Sequence, residues 1–262
     1  MDELTLTGCK EKEKKRLRDR RSKSAEGRRK EEETQWGSQS GGAVNVPLRD
    51  YQFAITKTAL FSNTLVALPT GLGKTLIAAV IIYNYFRWFP EGKIVFAAPS
   101  RPLVMQQIEA CHNIVGIPQE WTIDMTGQIC PSKRANFWKT KRVFFVTPQV
   151  LEKDIQSGTC LSKYLVCLVI DEAHRAMGNY SYCVAVRELM SMPVQLRILA
   201  LTATPGSKQP AIQQIIDNLY ISTLEYRNDH DHDVSPYVHN RKIELIEVST
   251  SFSLLKFVVC FF

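Results

Sequence analysis

The feature that most constrains the fold is the segment LVALPTGLGKTLIAA at residues 65–79. An apolar run ends at a proline, two glycines and a Lys-Thr pair follow, and a second apolar run begins at once. Such a turn costs backbone entropy and brings a charge toward the core, so a bound ligand must offset that cost. Loops of the form G-x-x-x-x-G-K-[ST] bind phosphate chains, because their backbone N–H groups and the N-terminus of the next helix point at phosphate oxygens.

Gly73, Lys74 and Thr75 match the end of that pattern, while Leu68 stands where the first glycine is expected. The pattern predicts that Lys74 neutralises the β- and γ-phosphates of a nucleotide and that the Thr75 hydroxyl binds Mg²⁺. The alternative is a glycine turn that carries a surface lysine, and the strand–loop–helix context favours the phosphate loop. The complete predicted nucleotide-binding loop is Leu68, Pro69, Thr70, Gly71, Leu72, Gly73, Lys74 and Thr75.

Apolar segments alternate with helix-like segments from residue 46 onward. Strands are predicted at 64–68, 94–98, 122–126, 143–147, 165–170 and 197–202. Helices are predicted at 49–61, 74–88, 101–112, 132–139, 148–156, 181–191 and 208–219. Several strands are continuous apolar runs, which is typical of strands buried on both faces. The sequence therefore predicts an α/β fold with a mostly parallel sheet, helices on both faces and ligands at the carboxyl ends of the strands.

Two adjacent carboxylates, Asp171 and Glu172, directly follow the apolar segment at 165–170. Such a pair at the end of a buried strand is costly unless it serves a cation. Next to a phosphate loop, Asp171 is predicted to bind Mg²⁺ and Glu172 to polarise the attacking water. His174, two residues later, is predicted to pass hydrogen bonds toward a neighbouring domain. The alternative is an acidic pair that caps a helix.

Two further segments are weak signals by themselves. LTATP at 201–205 would place the hydroxyls of Thr202 and Thr204 near the two carboxylates. LRDYQ at 48–52 contains Gln52, and a glutamine amide can pair with an adenine edge.

In this order, LRDYQ, LPTGLGKT, DEAH and TAT resemble the DEAH-type superfamily-two helicases and translocases. APSRPLVMQQ, TGQICPSKR, VTPQVLEKD and DEAHRAMGNYSY narrow the resemblance to the Fanconi anaemia group M and archaeal Hef family, over about residues 46–248. The resemblance implies a RecA-like P-loop NTPase domain that uses ATP and Mg²⁺ and acts on branched or forked DNA in repair. It also implies adenine recognition by Gln52, coupling by Thr202 and Thr204, and catalytic roles for Lys74, Asp171, Glu172 and His174.

The same resemblance implies a path for one nucleic-acid strand. Arginines bind phosphate, and threonine hydroxyls and glycine N–H groups can do so without reading bases, so binding is expected to tolerate any sequence and to weaken with salt. Taken singly, each residue is also compatible with an ordinary loop or cap. The implied contacts are Arg101, Gln106, Thr126, Gly127, Arg134 and Thr147.

The two ends of the chain differ in composition from the segment between them. Residues 10–33 contain 12 Lys or Arg and 7 Asp or Glu, and the linker-like GSQSGGA follows at 37–43. Residues 1–45 are therefore predicted to be a basic disordered arm, in which KKRLRDRRSK is a nuclear-import or nucleic-acid-binding segment or simply part of a solvated tail. The net charge of +7 weakly favours a polyanionic partner. Residues 249–262 form an apolar tail that departs from the family pattern and is too short to span a bilayer.

Seven cysteines without a C-x-x-C pair indicate neither a zinc site nor a disulfide framework, which fits a reducing compartment such as the nucleus. The sequence after TATP shows no second RecA-like domain, so a truncated translocase with weak ATPase activity of its own is expected. Two alternatives remain open: a non-enzymatic module that binds DNA or a partner protein, and a relative that acts on double-stranded RNA. Stimulation by RNA rather than DNA would favour the second alternative. No membrane association is expected, and repair-complex proteins are the expected protein partners.

Overall fold

The computed structural model describes residues 49–203 and 209–238, in which seven helices alternate with seven strands. In chain order they are α1 (Asp50–Phe61), β1 (Thr64–Ala67), α2 (Lys74–Trp88), β2 (Lys93–Ala97), α3 (Arg101–Asn113), β3 (Thr122–Met125), α4 (Pro131–Thr140), β4 (Val143–Val146), α5 (Pro148–Gln156), β5 (Leu165–Ile170), α6 (Ser181–Met190), β6 (Arg197–Thr202), α7 (Gln209–Asn218) and β7 (Thr223–Tyr226). Four 3-10 turns lie between them, at Gln119–Trp121, Ser162–Tyr164, Ala173–Arg175 and Ser235–Tyr237.

The strands form one sheet in the order β3-β4-β2-β5-β6-β1-β7, and every neighbouring pair is parallel. Ala67 at the end of β1 is level with Thr202 at the end of β6, and Ala97 at the end of β2 is level with Ile170 at the end of β5. The strand ends therefore meet at one edge, and β1, β5 and β6, which carry the predicted nucleotide motifs, lie side by side.

Helices cover both faces of the sheet. One core cluster packs α1, α2 and α3 against one face, and a second packs α4, α5, α6 and α7 against the other. Successive strand residues alternate between the two clusters: Val66 and Phe96 belong to the first, whereas Leu65 and Val95 belong to the second. Burial on both faces explains why the five inner strands are largely apolar runs. The predicted fold class is confirmed.

The predicted elements agree with the structure to within one residue at either end. The strand β7 was not predicted. It pairs with β1 at the edge of the sheet, and its side chains alternate between half-buried and exposed, so TLEY is not the apolar run that marks the inner strands. Among the described residues, no helix is both long and apolar enough to cross a bilayer. The predicted arm at 1–45 and tail at 249–262 lie outside the described residues and stay predictions.

Candidate nucleotide and nucleic-acid site

The loop from Leu68 to Gly73 leaves the carboxyl end of β1 and leads into α2. Its first residue is tied to the sheet, because the Leu68 N–H donates to the Thr202 carbonyl at 3.1 Å. Gly71 and Gly73 have φ angles of 86° and 87°, in the left-handed region that glycine adopts without strain. A Cβ at position 73 would also meet the Gln52 Nε2 atom, which is the end of a flexible side chain. The left-handed backbone is therefore the main reason for glycine at position 73.

Lys74 begins α2 and turns its side chain back over the loop. Its Nζ donates to the carbonyls of Leu68 at 2.7 Å and Pro69 at 3.1 Å. Burial lowers the pKa of Lys74, and the charges of Asp171 and Glu172 act in the opposite direction. The ammonium group is therefore held inside the loop within electrostatic range of both carboxylates, and its contact with phosphate stays a prediction.

Asp171 and Glu172 occupy the turn that follows β5. The Asp171 N–H donates to the Ala97 carbonyl at 2.9 Å, which fixes the turn to the neighbouring strand. Burial raises the pKa of Asp171, although a hydrogen bond from the Glu172 N–H and the charge of Lys74 favour the ionised form. Glu172 has a φ angle of 51°, an uncommon value for a residue with a side chain. A partly desolvated carboxylate beside a lysine fits a site for a bound cation.

His174 connects the carboxylate pair to β6. Its Nδ1 atom lies 3.2 Å from the Glu172 Oε2 atom and 3.3 Å from the hydroxyl oxygen of the buried Thr202. The structure thus brings together three of the predicted catalytic and coupling residues. Thr204 lies outside the described residues.

Gln52 lies at the start of α1 and packs against the loop. Its Nε2 donates to the Leu72 carbonyl at 3.1 Å, and its Oε1 accepts from the Arg49 N–H at 3.0 Å. The side chain is buried, so in this structure the amide holds the loop and the end of the helix. Adenine reading by Gln52 stays a prediction.

Most of the predicted nucleic-acid contacts lie beyond the carboxyl ends of β2, β3 and β4, in the other half of the same edge. Arg101 begins α3 and is exposed, with its Nη2 atom 3.8 Å from the Asp124 carboxylate. Gln106 is exposed and lies about one turn further along that helix. In the loop after β3, Gly127 is exposed and Thr126 is half-buried, and Thr147 lies directly before α5. These residues line a continuous stretch of the edge beside the nucleotide half.

Arg134 is placed differently from the other five. Its side chain is 9% exposed, and its Nε and Nη2 atoms each lie 2.8 Å from the Asp154 Oδ1 atom. Trp138 Nε1 donates to the other carboxylate oxygen at 2.9 Å. The guanidinium therefore joins α4 to α5 and does not face solvent, where a phosphate contact would require it to be. A sequence motif shows that an arginine is present but not whether its side chain faces solvent or the core.

Two tyrosines that the sequence analysis did not select also shape the site. The Tyr51 hydroxyl donates to the Leu72 carbonyl at 2.9 Å. The Tyr182 hydroxyl lies 2.8 Å from the Asp171 carbonyl and 3.0 Å from the Ala97 carbonyl. Burial raises the pKa of Tyr182, so this hydroxyl stays protonated and remains a donor. A buried tyrosine hydroxyl needs a hydrogen-bond partner, but the sequence does not show which group supplies it for Tyr51 or Tyr182.

The comparisons with known proteins agree with this geometry. A family model described as "Type III restriction enzyme, res subunit" matches residues 45–207. The chain belongs to this family. The chain also resembles a solved structure: the Pyrococcus furiosus Hef helicase domain superposes with a TM-score of 0.71 at 36% identity, covering 78% of this chain and 44% of that one.

Several other proteins are more similar in sequence. A protein of Arabidopsis thaliana named "DEAD-box ATP-dependent RNA helicase FANCM" is 87% identical over 204 residues, which cover 78% of this chain and 15% of that protein. The "Fanconi anemia group M protein homolog" of Mus musculus is 52% identical over 78% of this chain and 10% of its own length. The "ATP-dependent DNA helicase fml1" of Schizosaccharomyces pombe is 50% identical over 79% of this chain and 25% of its own length.

The predicted resemblance to the Fanconi anaemia group M and Hef proteins is therefore confirmed. This chain spans between a tenth and a quarter of the length of these three relatives.

Proposed function

We propose that this chain supplies the ATP-binding RecA-like domain of an ATP-dependent DNA helicase or translocase. The observation that carries the proposal is the meeting of Lys74 with Asp171 and Glu172 at the carboxyl edge, from two segments that lie almost 100 residues apart in the sequence. The names of the relatives support the reaction, since the proteins of S. pombe and Pyricularia oryzae are each called an ATP-dependent DNA helicase.

In this proposal the described residues divide the work at the nucleotide. Lys74 and the N–H groups of the loop bind the β- and γ-phosphates, and Glu172 orients the attacking water with His174 beside it. The Thr75 hydroxyl and the Asp171 carboxylate would hold Mg²⁺, which neutralises charge on the phosphates when bound. The pKa of Asp171, raised by burial, supports this assignment because a cation would compensate the buried charge.

The nucleic-acid half of the proposal uses Arg101, Gln106, Thr126, Gly127 and Thr147. Their exposed or half-buried positions at the β2, β3 and β4 end of the edge support contacts to the backbone of one strand. Branched or forked DNA as the substrate, action in the nucleus and association with repair-complex proteins belong to the same proposal, and the Fanconi anaemia names of the relatives support them.

The test is nucleotide binding by the purified chain and by Lys74→Ala. Because the ammonium group is the cation placed inside the loop, we expect the variant to lose about 100-fold or more in ATP affinity while keeping its circular dichroism spectrum. Lys57→Ala, an exposed lysine on α1, is the matched control and should bind as the wild type does. Equal ATP affinities of the folded Lys74 variant and the wild type would contradict the proposal.

A second candidate function is action on RNA, because the Arabidopsis thaliana relative is named an RNA helicase. Fluorescence anisotropy with a labelled forked DNA and a double-stranded RNA of the same sequence separates the two. We expect the DNA to bind more tightly, and Arg101→Ala to weaken binding of both, since its phosphate contact reads neither base nor sugar. Tighter binding of the RNA would favour the second candidate.

A further inference from the structure

The chain that follows β7 returns to the start of α1, on the side where α1 contacts the nucleotide loop. Within this returning segment the Arg227 Nε donates to an Asp233 carboxylate oxygen at 2.9 Å, and the Asn228 N–H donates to an Asp231 carboxylate oxygen at 2.8 Å. Val234 is fully buried in the core cluster that contains α1 and α2. The segment is therefore anchored at several points before it reaches Tyr237.

The ring of Tyr237 packs on Arg49 and Tyr51. The Arg49 Cζ atom lies 4.2 Å from the centroid of the Tyr237 ring, which is a cation–π contact. The Tyr51 ring lies 5.8 Å from the Tyr237 ring, and the Arg49 Nη1 donates to the Tyr51 hydroxyl at 3.2 Å. Tyr51 in turn donates to the Leu72 carbonyl. A chain of contacts thus runs from Tyr237 to the nucleotide loop.

This cluster borders the nucleotide loop at Leu72, on the side where α1 begins. If phosphates occupy the loop, the sugar and base extend out of it, and the start of α1 borders the loop at Leu72. Gln52 is buried and its amide is engaged with Leu72 and Arg49, whereas Tyr237 remains 38% exposed. Arg49 and Tyr237 therefore offer planar, partly accessible groups beside the loop, and planar groups stack on bases.

We propose that Tyr237 positions the Arg49 guanidinium for contact with the nucleotide base. The Tyr237 ring packs on one face of the guanidinium, and the opposite face of the guanidinium stacks on a purine. This inference rests on the proposed ATP site, and it assigns base affinity to a residue about 160 positions beyond the loop, outside the four helicase motifs. The segment that ends at Tyr237 thereby becomes part of the nucleotide site.

The test compares ATP with inorganic tripolyphosphate, which keeps the phosphates and lacks the base, by calorimetric titration of the full chain. We expect Tyr237→Ala to weaken ATP binding about three- to tenfold and to leave tripolyphosphate binding unchanged, because only the base uses Arg49. Tyr237→Phe keeps the ring and should bind ATP within about twofold of the wild type.

A double-mutant cycle provides the second readout. If Tyr237 acts through Arg49, then Tyr237→Ala added to Arg49→Ala should cause no further loss of ATP affinity. Unchanged ATP affinity of Tyr237→Ala, equal weakening of both ligands, or additive losses in the cycle would each overturn the inference. Failure of the wild-type chain to bind either ligand would instead overturn the proposed ATP site, and the inference with it.

Discussion

Lys74 and Asp171 are both charged groups that burial disfavours, and each only partly compensates the other. The pKa of the lysine is lowered and that of the aspartate is raised, in both cases mainly by burial. A pair selected only for stability would be replaced by apolar residues or moved to the surface. A bound nucleotide and its cation would instead compensate the buried charges of these two side chains.

The role of Glu172 can be separated from that of its neighbours. Glu172→Gln keeps the size and polarity of the side chain but removes the base, so we expect ATP affinity within about threefold of the wild type and kcat lower by about 10²–10⁴. The measurement is steady-state hydrolysis with forked DNA in a form of the protein that includes a second RecA-like domain. The exposed Glu91→Gln is the matched control, and turnover near the wild-type rate in Glu172→Gln would exclude Glu172 as the base.

The burial of Asp171 predicts a pH-dependent stability effect. Its raised folded-state pKa means that the ionised carboxylate destabilises the nucleotide-free fold, fully so above that pKa and not at all below the unfolded value near 4. Asp171→Asn should therefore raise Tm at pH 7 by a few degrees at most, and the gain should disappear as the pH falls toward 4. Thermal melts across this pH range are the measurement.

The same Asp171→Asn variant should lose metal-dependent nucleotide binding, because the amide is a poor substitute for a carboxylate ligand. The exposed Asp229→Asn serves as the control and should change neither property. A lower Tm for Asp171→Asn at pH 7 would show that the carboxylate is stabilising and that the assigned cause is wrong.

Among the secondary-structure elements, α4 and α5 are joined by the buried group of Arg134, Trp138 and Asp154. Asp154 is fully buried and accepts from both of the other side chains. Arg134 therefore orders the helix that follows the Thr126–Gly127 loop, and we infer that it acts on nucleic-acid binding only by fixing that loop.

Removal of the shared acceptor should destabilise the chain strongly. Asp154→Ala leaves the Arg134 guanidinium buried without its carboxylate, for which we expect a loss of about 3–5 kcal/mol in the free energy of unfolding. The Arg101–Asp124 pair, in which the arginine is exposed and the aspartate half-buried, is the contrast, and Arg101→Ala should cost less than about 1 kcal/mol. Urea denaturation measures both, and equal losses would show that burial does not decide the difference.

The elements that the sequence predicted and those that it missed differ in their surroundings. The five inner strands are recognisable in the sequence because burial on both faces requires continuous apolar residues, as in LVCLVI of β5. An edge strand such as β7 has a weaker requirement, so its four residues carry a weaker signal. The nucleotide motifs were found because loop and carboxylates are each local in sequence. The partners of Arg134, Tyr182 and Tyr237 are set by tertiary packing, which a local pattern does not encode.

For the whole molecule, the strand order places the two proposed sites in separate halves of one edge of the sheet. The ends of β1, β5 and β6 carry the proposed nucleotide residues, and the ends of β2, β3 and β4 carry the predicted nucleic-acid contacts. The two groups meet between β2 and β5. Both groups lie on the same edge because the carboxyl ends of all strands in a parallel sheet point the same way.

The predicted basic arm would change the charge of the whole molecule without adding a folded element. Residues 10–33 carry five more positive than negative charges, so their deletion should remove phosphate contacts and flatten the slope of log affinity against log salt by about one to four units. Anisotropy with duplex DNA over a salt series is the measurement, with an uncharged Gly/Ser arm of equal length as the control. An unchanged slope would leave the arm a tether or an import signal.

The junction of β2 and β5 has a mechanical consequence. The Ala97 carbonyl accepts from the Asp171 N–H at 2.9 Å and lies 3.0 Å from the Tyr182 hydroxyl, which also lies 2.8 Å from the Asp171 carbonyl. The contact between the two halves of the edge is thus made by main-chain atoms and a single tyrosine hydroxyl. A displacement of β2, whose end lies four residues before Arg101, would therefore shift the main chain of Asp171 without first being absorbed by a side-chain rotamer change.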